Sequence, residues 1–374
     1  MKKILYVTTV SSTINGFFIP HIEMLIKNKG YKVDIACSFN KEVSKKLVDL
    51  GVKISEISFS RDPLTIRNIK AIEQIKKLVE KEKYDIVHVH TPVAAFVTRF
   101  ALRNFKDIKI IYTAHGYHFY KGAPLLNWGV YYPLEKIAAK WTDRLITINN
   151  EDFERAQKFK LRNEGQAFLM NGVGVNPSDY EVEKDFDRKK FREDLGINEN
   201  DFVILILAEL NKNKNHIQII KALEKVKNRD NIKVICAGRG ILKEKLESEI
   251  KNRNLEKNIK LLGFRSDVKE LIEISDCVAL FSKREGLPKC LMEGMLKEKL
   301  LIGTNNRGIR TLIDQEWLAN FNDIEGTTKL LEKICSLNNK QLEDIKKNMK
   351  KKSKKYQVNI ILESLNKFYE FENI

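Results

Sequence analysis

The chain has 374 residues, 43% of them apolar, enough to pack cores for two domains of ordinary size and too many for wholesale disorder. No apolar run approaches the ~18 residues needed to cross a bilayer, and the start "MKKILYVTTV" is too short for a signal peptide and reads as a first strand. The formal charge of +17 favours an anionic partner (nucleic acid, a membrane surface or a phosphorylated substrate), with lysine-rich solvated surfaces as the plain alternative.

In chain order, "KILYVTTV" precedes an amphipathic helix over 17–29 that Gly30 stops. Then come "YKVDIACS", a helix over 41–50, "VKISEISF", a helix over 66–81, "YDIVHVH", a helix over 92–104 and "IKIIYTAH". A loop, a helix over 128–141 and "RLITIN" complete the first half. The polar interval "NGVGVNPSDYEVEKDFDRKK" reads as a linker. After it the pattern restarts with "FVILILAEL", a helix over 215–226, "IKVICAG", a helix over 242–251, "NIKLLGF", a helix over 268–274 and "CVALFS". Strands alternating with helices imply parallel sheets covered on both faces, here as two doubly wound halves. Val358, Ile361, Leu362, Leu365, Phe368 and Tyr369 recur at helical spacing and need a surface to bury on. Five cysteines (Cys37, Cys236, Cys277, Cys290, Cys335) are scattered without a CxxC, as free thiols in a reducing cytoplasm would be. Two basic stretches stand out. "RFALRNFKDIK" (99–109) interleaves bases with apolar residues as a membrane-surface helix does, and "IKKNMKKKSKKY" (345–356) carries lysines and no acid.

The stretch with most chemistry is "REGLPKCLMEGM". An apolar strand ends, Gly286-Leu287-Pro288 turns, and Pro288 opens a helix. Glu285 lies on the turn and Glu293 on the second helical turn. Unpaired N–H groups at a helix start bind anions, and carboxylates accept hydrogen bonds from hydroxyls. Hydroxyls on both sides of a phosphate describe a nucleotide sugar. Ligands of open α/β sheets sit beyond the carboxyl ends of the strands, where these residues fall.

"EGLPKCLMEG" resembles the E-x7-E signature of retaining glycosyltransferases with the GT-B fold, family 4 type. "VHVHTPVAAFVTRF", "YTAHGYHFYKGAP", "NGVGV", "ELNKNKNH", "GFRSDV" and "GIRTLI" follow one another in the family's order, closest to its capsule and exopolysaccharide subgroup. The resemblance implies two Rossmann-like domains facing across a cleft: residues 1–176 for the acceptor, 177–355 for the donor, and a helix over 356–374 crossing back to the first. It also implies no cofactor and no essential metal.

The family roles carry over residue by residue. Glu293 would accept from the ribose hydroxyls and Glu285 would contact the donor sugar, with a solvated, dipole-complementing helix face as the alternative. Gly286, Leu287 and Pro288 would bring backbone to the phosphates. Lys214 would stabilise charge on the leaving diphosphate. Ala208-Glu209 stands where many relatives carry Gly-Arg, so Glu209 turns away or Lys212 or another base substitutes. His115 would hydrogen-bond the sugar or stabilise an oxocarbenium-like transition state. Gly16 permits close approach of the donor phosphate, Gly238 borders the nucleotide, and backbone near Phe264 and Arg265 reads the base. His90 and Thr91, and more weakly Tyr117, His118 and Lys121, are candidates for the acceptor side. His88 and His90 form H-x-H, read here as pointing to opposite faces of their strand and so unsuited to one metal.

These residues point to transfer from a nucleotide-diphosphate sugar, UDP by family habit, to a glycan or polyprenyl-diphosphate-linked acceptor. The expected place is the cytoplasm, at the inner face of the cell membrane, with an anionic lipid surface and no nucleic acid as partner. A GT-B-like epimerase or phosphorylase, a basic nucleic-acid-binding protein and an inactive scaffold remain as alternatives.

Overall fold

The computed structural model describes residues 1–62 and 65–371. The aliphatic runs of the sequence become strands buried along their length, as strands with helices on both faces must be. The chain divides into two units, residues 1–173 with 358–374, and residues 174–357. The sequence reading draws its borders at 176/177 and 355/356 instead.

In the first unit, β1 (Lys3–Val10), β2 (Lys32–Ser38), β3 (Ile54–Glu56), β4 (Ile86–His90), β5 (Lys109–Ala114), β6 (Arg144–Thr147) and β7 (Gln166–Leu169) form a sheet in the order β3-β2-β1-β4-β5-β6-β7. All of its pairings are parallel. In the second unit, β8 (Phe202–Leu207), β9 (Ile232–Ala237), β10 (Ile259–Gly263), β11 (Cys277–Leu280), β12 (Leu300–Thr304) and β13 (Leu318–Ala319) form a parallel sheet in the order β10-β9-β8-β11-β12-β13. Both orders reverse their winding beside the first strand, at β1/β4 and at β8/β11. Loops leaving those two strands diverge, and the crevice between them is where such sheets bind ligands.

Several sequence expectations need correction. The interval 171–190 is structured: Pro177–Tyr180 forms a 3-10 turn that buries Tyr180, and the helix Arg188–Asp194 begins inside it. The Val175 N–H bonds the Tyr356 carbonyl at 2.9 Å, so both chain crossings are tied at one point of the second unit. Gly16 lies inside the short helix Ser11–Phe17, which follows β1 without a loop. The stretch 99–109 is not a surface helix. Arg99 is 0% exposed, donates to both Glu135 oxygens at 2.7 and 3.2 Å, and lies 4.0 Å over the Tyr112 ring. Its charge is matched inside the unit, so it offers nothing to a lipid surface. β7, with its modest apolar content, was not anticipated.

The C-terminal helix Val358–Lys367 belongs to the first unit and buries Ile361 and Leu365 there, with Phe368 and Tyr369 following. Arg144 donates to the carbonyls of Lys367 at 2.9 Å and Glu370 at 2.6 Å, partnering groups that a helix end leaves unsatisfied. The Tyr369 hydroxyl donates to Tyr6 at 2.9 Å and also bonds His88 Nδ1. Replacing Tyr369→Phe leaves buried polar atoms on Tyr6 and His88 without this partner. The expected cost is roughly 1–3 kcal/mol, read as a lower urea midpoint at unchanged slope; an unchanged midpoint refutes it.

Candidate active site

The loops after β8 and β11 carry Lys214, Glu285 and other residues expected on the donor side. The turn after β11 positions Glu285, and the helix Lys289–Leu296 starts directly after Pro288, which is its N-terminal boundary residue rather than its first helical one. The Asn213 amide donates to the Arg284 carbonyl at 3.1 Å, and the Lys283 N–H donates to the Asn213 carbonyl at 2.7 Å. These bonds lash the two switch-point loops together. Lys214 Nζ reaches Glu285 Oε1 at 2.7 Å across that junction. Burial alone would lower the Lys214 ammonium; the Glu285 charge outweighs it, so the lysine is raised and stays charged. Glu293 is 7% exposed on the helix Lys289–Leu296. Tyr180 donates to its Oε1 at 2.5 Å and Lys289 Nζ lies 3.5 Å from the same oxygen. Burial first, then the Glu293 charge, pushes the Tyr180 hydroxyl up, so it remains a donor.

The surrounding glycines are explained by close backbone contact. A Cβ on Gly238 would lie 1.9 Å from the Ala208 carbonyl oxygen, and one on Gly308 would lie 2.5 Å from that of Gly286. The strip 208–210 thus presses on the end of β9, and the 306–309 loop supports the Glu285-Gly286 turn, where Arg307 Nε donates to the Glu285 carbonyl at 3.4 Å. Glu209 is exposed and accepts from the Asn211 amide at 3.0 Å; Lys212 is exposed as well. Gly286 and Leu287 are half-buried and Pro288 is buried. Phe264 is 64% exposed with the Arg239 guanidinium 5.2 Å over its ring, while Arg265 is held by Asp267 at 2.8 Å. The Cys290 thiol beside Lys214 and Glu285 is pushed up to about 12 by burial and is no nucleophile at neutral pH. Tyr180, Asn213 and Arg307 were missed in the sequence, because no motif marks a residue that acts by bracing a neighbour.

In the first unit, β4 and β5 bring His88, His90 and His115 together with His21. The reading that His88 and His90 face opposite ways is wrong. Side chains alternate along a strand, so residues two apart share a face. Their ring centres are 4.1 Å apart. His90 Nδ1 lies 3.2 Å from His115 Nε2, and His88 Nε2 lies 2.8 Å from Thr113 Oγ1. Phe18 closes the cluster, 4.2 Å from the His90 ring and 5.6 Å from that of His115. Among the described residues no group of three or more His, Cys, Asp or Glu side chains is placed to hold a metal ion. Thr91 takes a left-handed conformation with φ 61°; its hydroxyl donates to the His90 carbonyl and accepts from the Thr9 N–H at 3.0 Å, with the Thr9 hydroxyl 2.7 Å away. Tyr117 is buried with its ring stacked 4.6 Å from Phe119; His118 stacks 4.6 Å from Tyr131; Lys121 is exposed, its N–H donating to Glu151 at 2.7 Å.

Two family models match the chain, "Glycosyl transferase 4-like" over residues 3–149 and "Glycosyl transferases group 1" over residues 187–352. The Bacillus subtilis (strain 168) protein EpsD, which carries a glycosyltransferase name, is 35% identical over 339 residues, 89% of this chain and 87% of its own. An Escherichia coli UDP-Gal:alpha-D-GlcNAc-diphosphoundecaprenol alpha-1,3-galactosyltransferase is 27% identical over 88% of this chain and 86% of its own. The crystal structure of Anabaena Alr3699/HepE with UDP and glucose superposes with a TM-score of 0.77 at 18% identity, covering 99% of both chains. The architecture is the two-domain, Rossmann-like GT-B fold. The chain belongs to the glycosyltransferases that join a 4-like amino-terminal domain to a group 1 carboxyl-terminal domain.

The histidine cluster makes a pH prediction. Burial lowers His21 and His115 from 6.5 to about 4, and lowers His88 and His90 further below 6.5. All are neutral in the fold and charge when the chain unfolds. Stability is therefore complete above about 6.5 and falls as pH drops toward about 4, at up to about 1.4 kcal/mol per pH unit for each histidine. Denaturant unfolding across that window should show the loss, and His21→Gln should make it shallower; equal slopes would refute the assignment.

Proposed function

We propose that this enzyme transfers a sugar, with retention, from a UDP-sugar to a hydroxyl of a polyprenyl-diphosphate-linked glycan at the inner face of the cell membrane, without an essential metal. The observation that carries the reading is the Lys214–Glu285 ion pair at the β8/β11 switch point, 2.7 Å long. A lysine kept charged where two loops diverge is suited to a departing diphosphate. An arriving diphosphate competes with Glu285 for Lys214, and Glu285 is then available to sugar hydroxyls. Tyr180 and Lys289 both address Oε1 of Glu293, which orients its Oε2 for a ribose hydroxyl. The name of the Escherichia coli relative supports a UDP-linked donor and a lipid-diphosphate acceptor. Retention rests on the E-x7-E spacing of Glu285 and Glu293, which this chain shares with retaining members.

In the mechanism, binding energy orients donor and acceptor, and the leaving phosphate accepts the acceptor's proton on the face it departs from. Lys214 stabilises the charge that develops as the bond to the anomeric carbon breaks. His115 is held neutral by burial, so its part is a hydrogen bond to the sugar and not a positive charge. Glu209 is exposed and bonded to Asn211, and its charge adds to that of Glu285 in keeping Lys214 a cation.

The test is transfer from UDP-sugars to a short polyprenyl-diphosphate-linked sugar, with product configuration read by NMR. Lys214→Ala should lower turnover by roughly 10²–10³-fold. Glu293→Gln should weaken UDP-sugar binding by roughly tenfold or more. Chelator should leave the rate unchanged. An inverted product, a chelator-sensitive rate, or epimerised donor without acceptor would each defeat the corresponding part of the proposal.

A further inference from the structure

The helix Leu125–Ala139 is inverted relative to an ordinary surface helix. Its outward stripe is Leu126, Val130, Leu134 and Ile137, spaced to share one side, with Leu126 74% and Ile137 46% exposed. Leu125 precedes them and is 88% exposed. Its opposite side carries Trp128, Tyr131 and Tyr132 against the core of the first unit, and buries Ala138 and Ala139. Charge is sorted in the same sense. Glu135 is the sole acid of residues 121–140, and it is turned inward and fixed by Arg99 at 2.7 Å. Lys121, Lys136 and Lys140 are exposed around the apolar stripe.

We propose that this outward face is the seat of an anionic lipid surface, with the leucines, valine and isoleucine entering the headgroup boundary and the lysines meeting lipid phosphates. A contiguous exposed apolar stripe marks an interaction site. Within residues 121–140 every exposed charge is a cation, and that selects the partner. Two copies of the face paired on each other would bring lysine against lysine with nothing to neutralise them, whereas acidic headgroups complement the whole face. The contact is an in-plane one, since among the described residues no helix is long and apolar enough to cross a membrane. The helix begins shortly after the β5 end that carries His115, so a seated helix holds that strand end at the lipid surface. That last consequence rests on the proposed lipid-linked acceptor; the lipid contact itself does not.

The experiment is cosedimentation of the full chain with vesicles of phosphatidylglycerol and phosphatidylethanolamine, and with vesicles of phosphatidylcholine alone. The wild type should bind the anionic vesicles at least tenfold more tightly than the neutral ones, and high salt should weaken it. Leu126→Ser/Val130→Ser/Ile137→Ser should lose at least tenfold, and Lys136→Glu/Lys140→Glu several-fold, both with unchanged thermal unfolding. UDP-sugar turnover on a water-soluble acceptor should be unchanged in both, so loss of turnover everywhere would count against the proposed function and leave the vesicle result standing. The inference is overturned if the serine variant binds as the wild type does, if the wild type stays in the supernatant, or if sedimentation velocity shows a dimer that the serine variant dissolves.

Discussion

A parallel sheet whose winding reverses leaves a gap that its own helices cannot fill, because the chain leaves the two strands at the reversal toward opposite faces. Both halves of this protein have that gap beside their first strand. Everything chemically distinctive in the second unit is built around it. Asn213 and Lys283 tie the diverging loops, Lys214 and Glu285 face each other across them, and glycines at 238 and 308 let neighbouring backbone come close enough to hold the arrangement. The site is therefore a product of topology first and of side-chain choice second.

The two halves treat charge in opposite ways. In the second unit a half-buried lysine beside a carboxylate is kept as a cation, the form that the proposed diphosphate role requires. In the first, burial keeps His21, His88, His90 and His115 uncharged at neutral pH. A neutral imidazole presents one donor and one acceptor, so the bond between His90 and His115 also constrains which nitrogen of His115 carries its proton. His115 thus takes its hydrogen-bonding character from a neighbour that the strand register supplies.

The C-terminal segment shows how far such a network reaches. Tyr369 completes a buried chain of polar groups with Tyr6 and His88, more than two hundred and fifty residues away in sequence from either. Arg144 anchors the same segment by its last carbonyls. The helix spacing of Val358 to Tyr369 reveals an apolar face; only the folded unit shows that its tyrosine also satisfies groups at the base of the histidine cluster.

What was legible in the linear chain is what depends on near neighbours: aliphatic runs for most strands, amphipathic spacing for helices, and the Glu285-to-Glu293 interval that puts both acids near one helix start. What escaped it depends on register, burial and distant partners. The shared face of His88 and His90 follows from strand alternation alone. The basic-apolar mixture of 99–109 resembles a lipid-binding helix, yet Arg99 is consumed by Glu135, and the exposed apolar stripe lies on the neighbouring 125–139 helix. Composition cannot distinguish those two segments, since which side chains meet solvent is set by what folds against them.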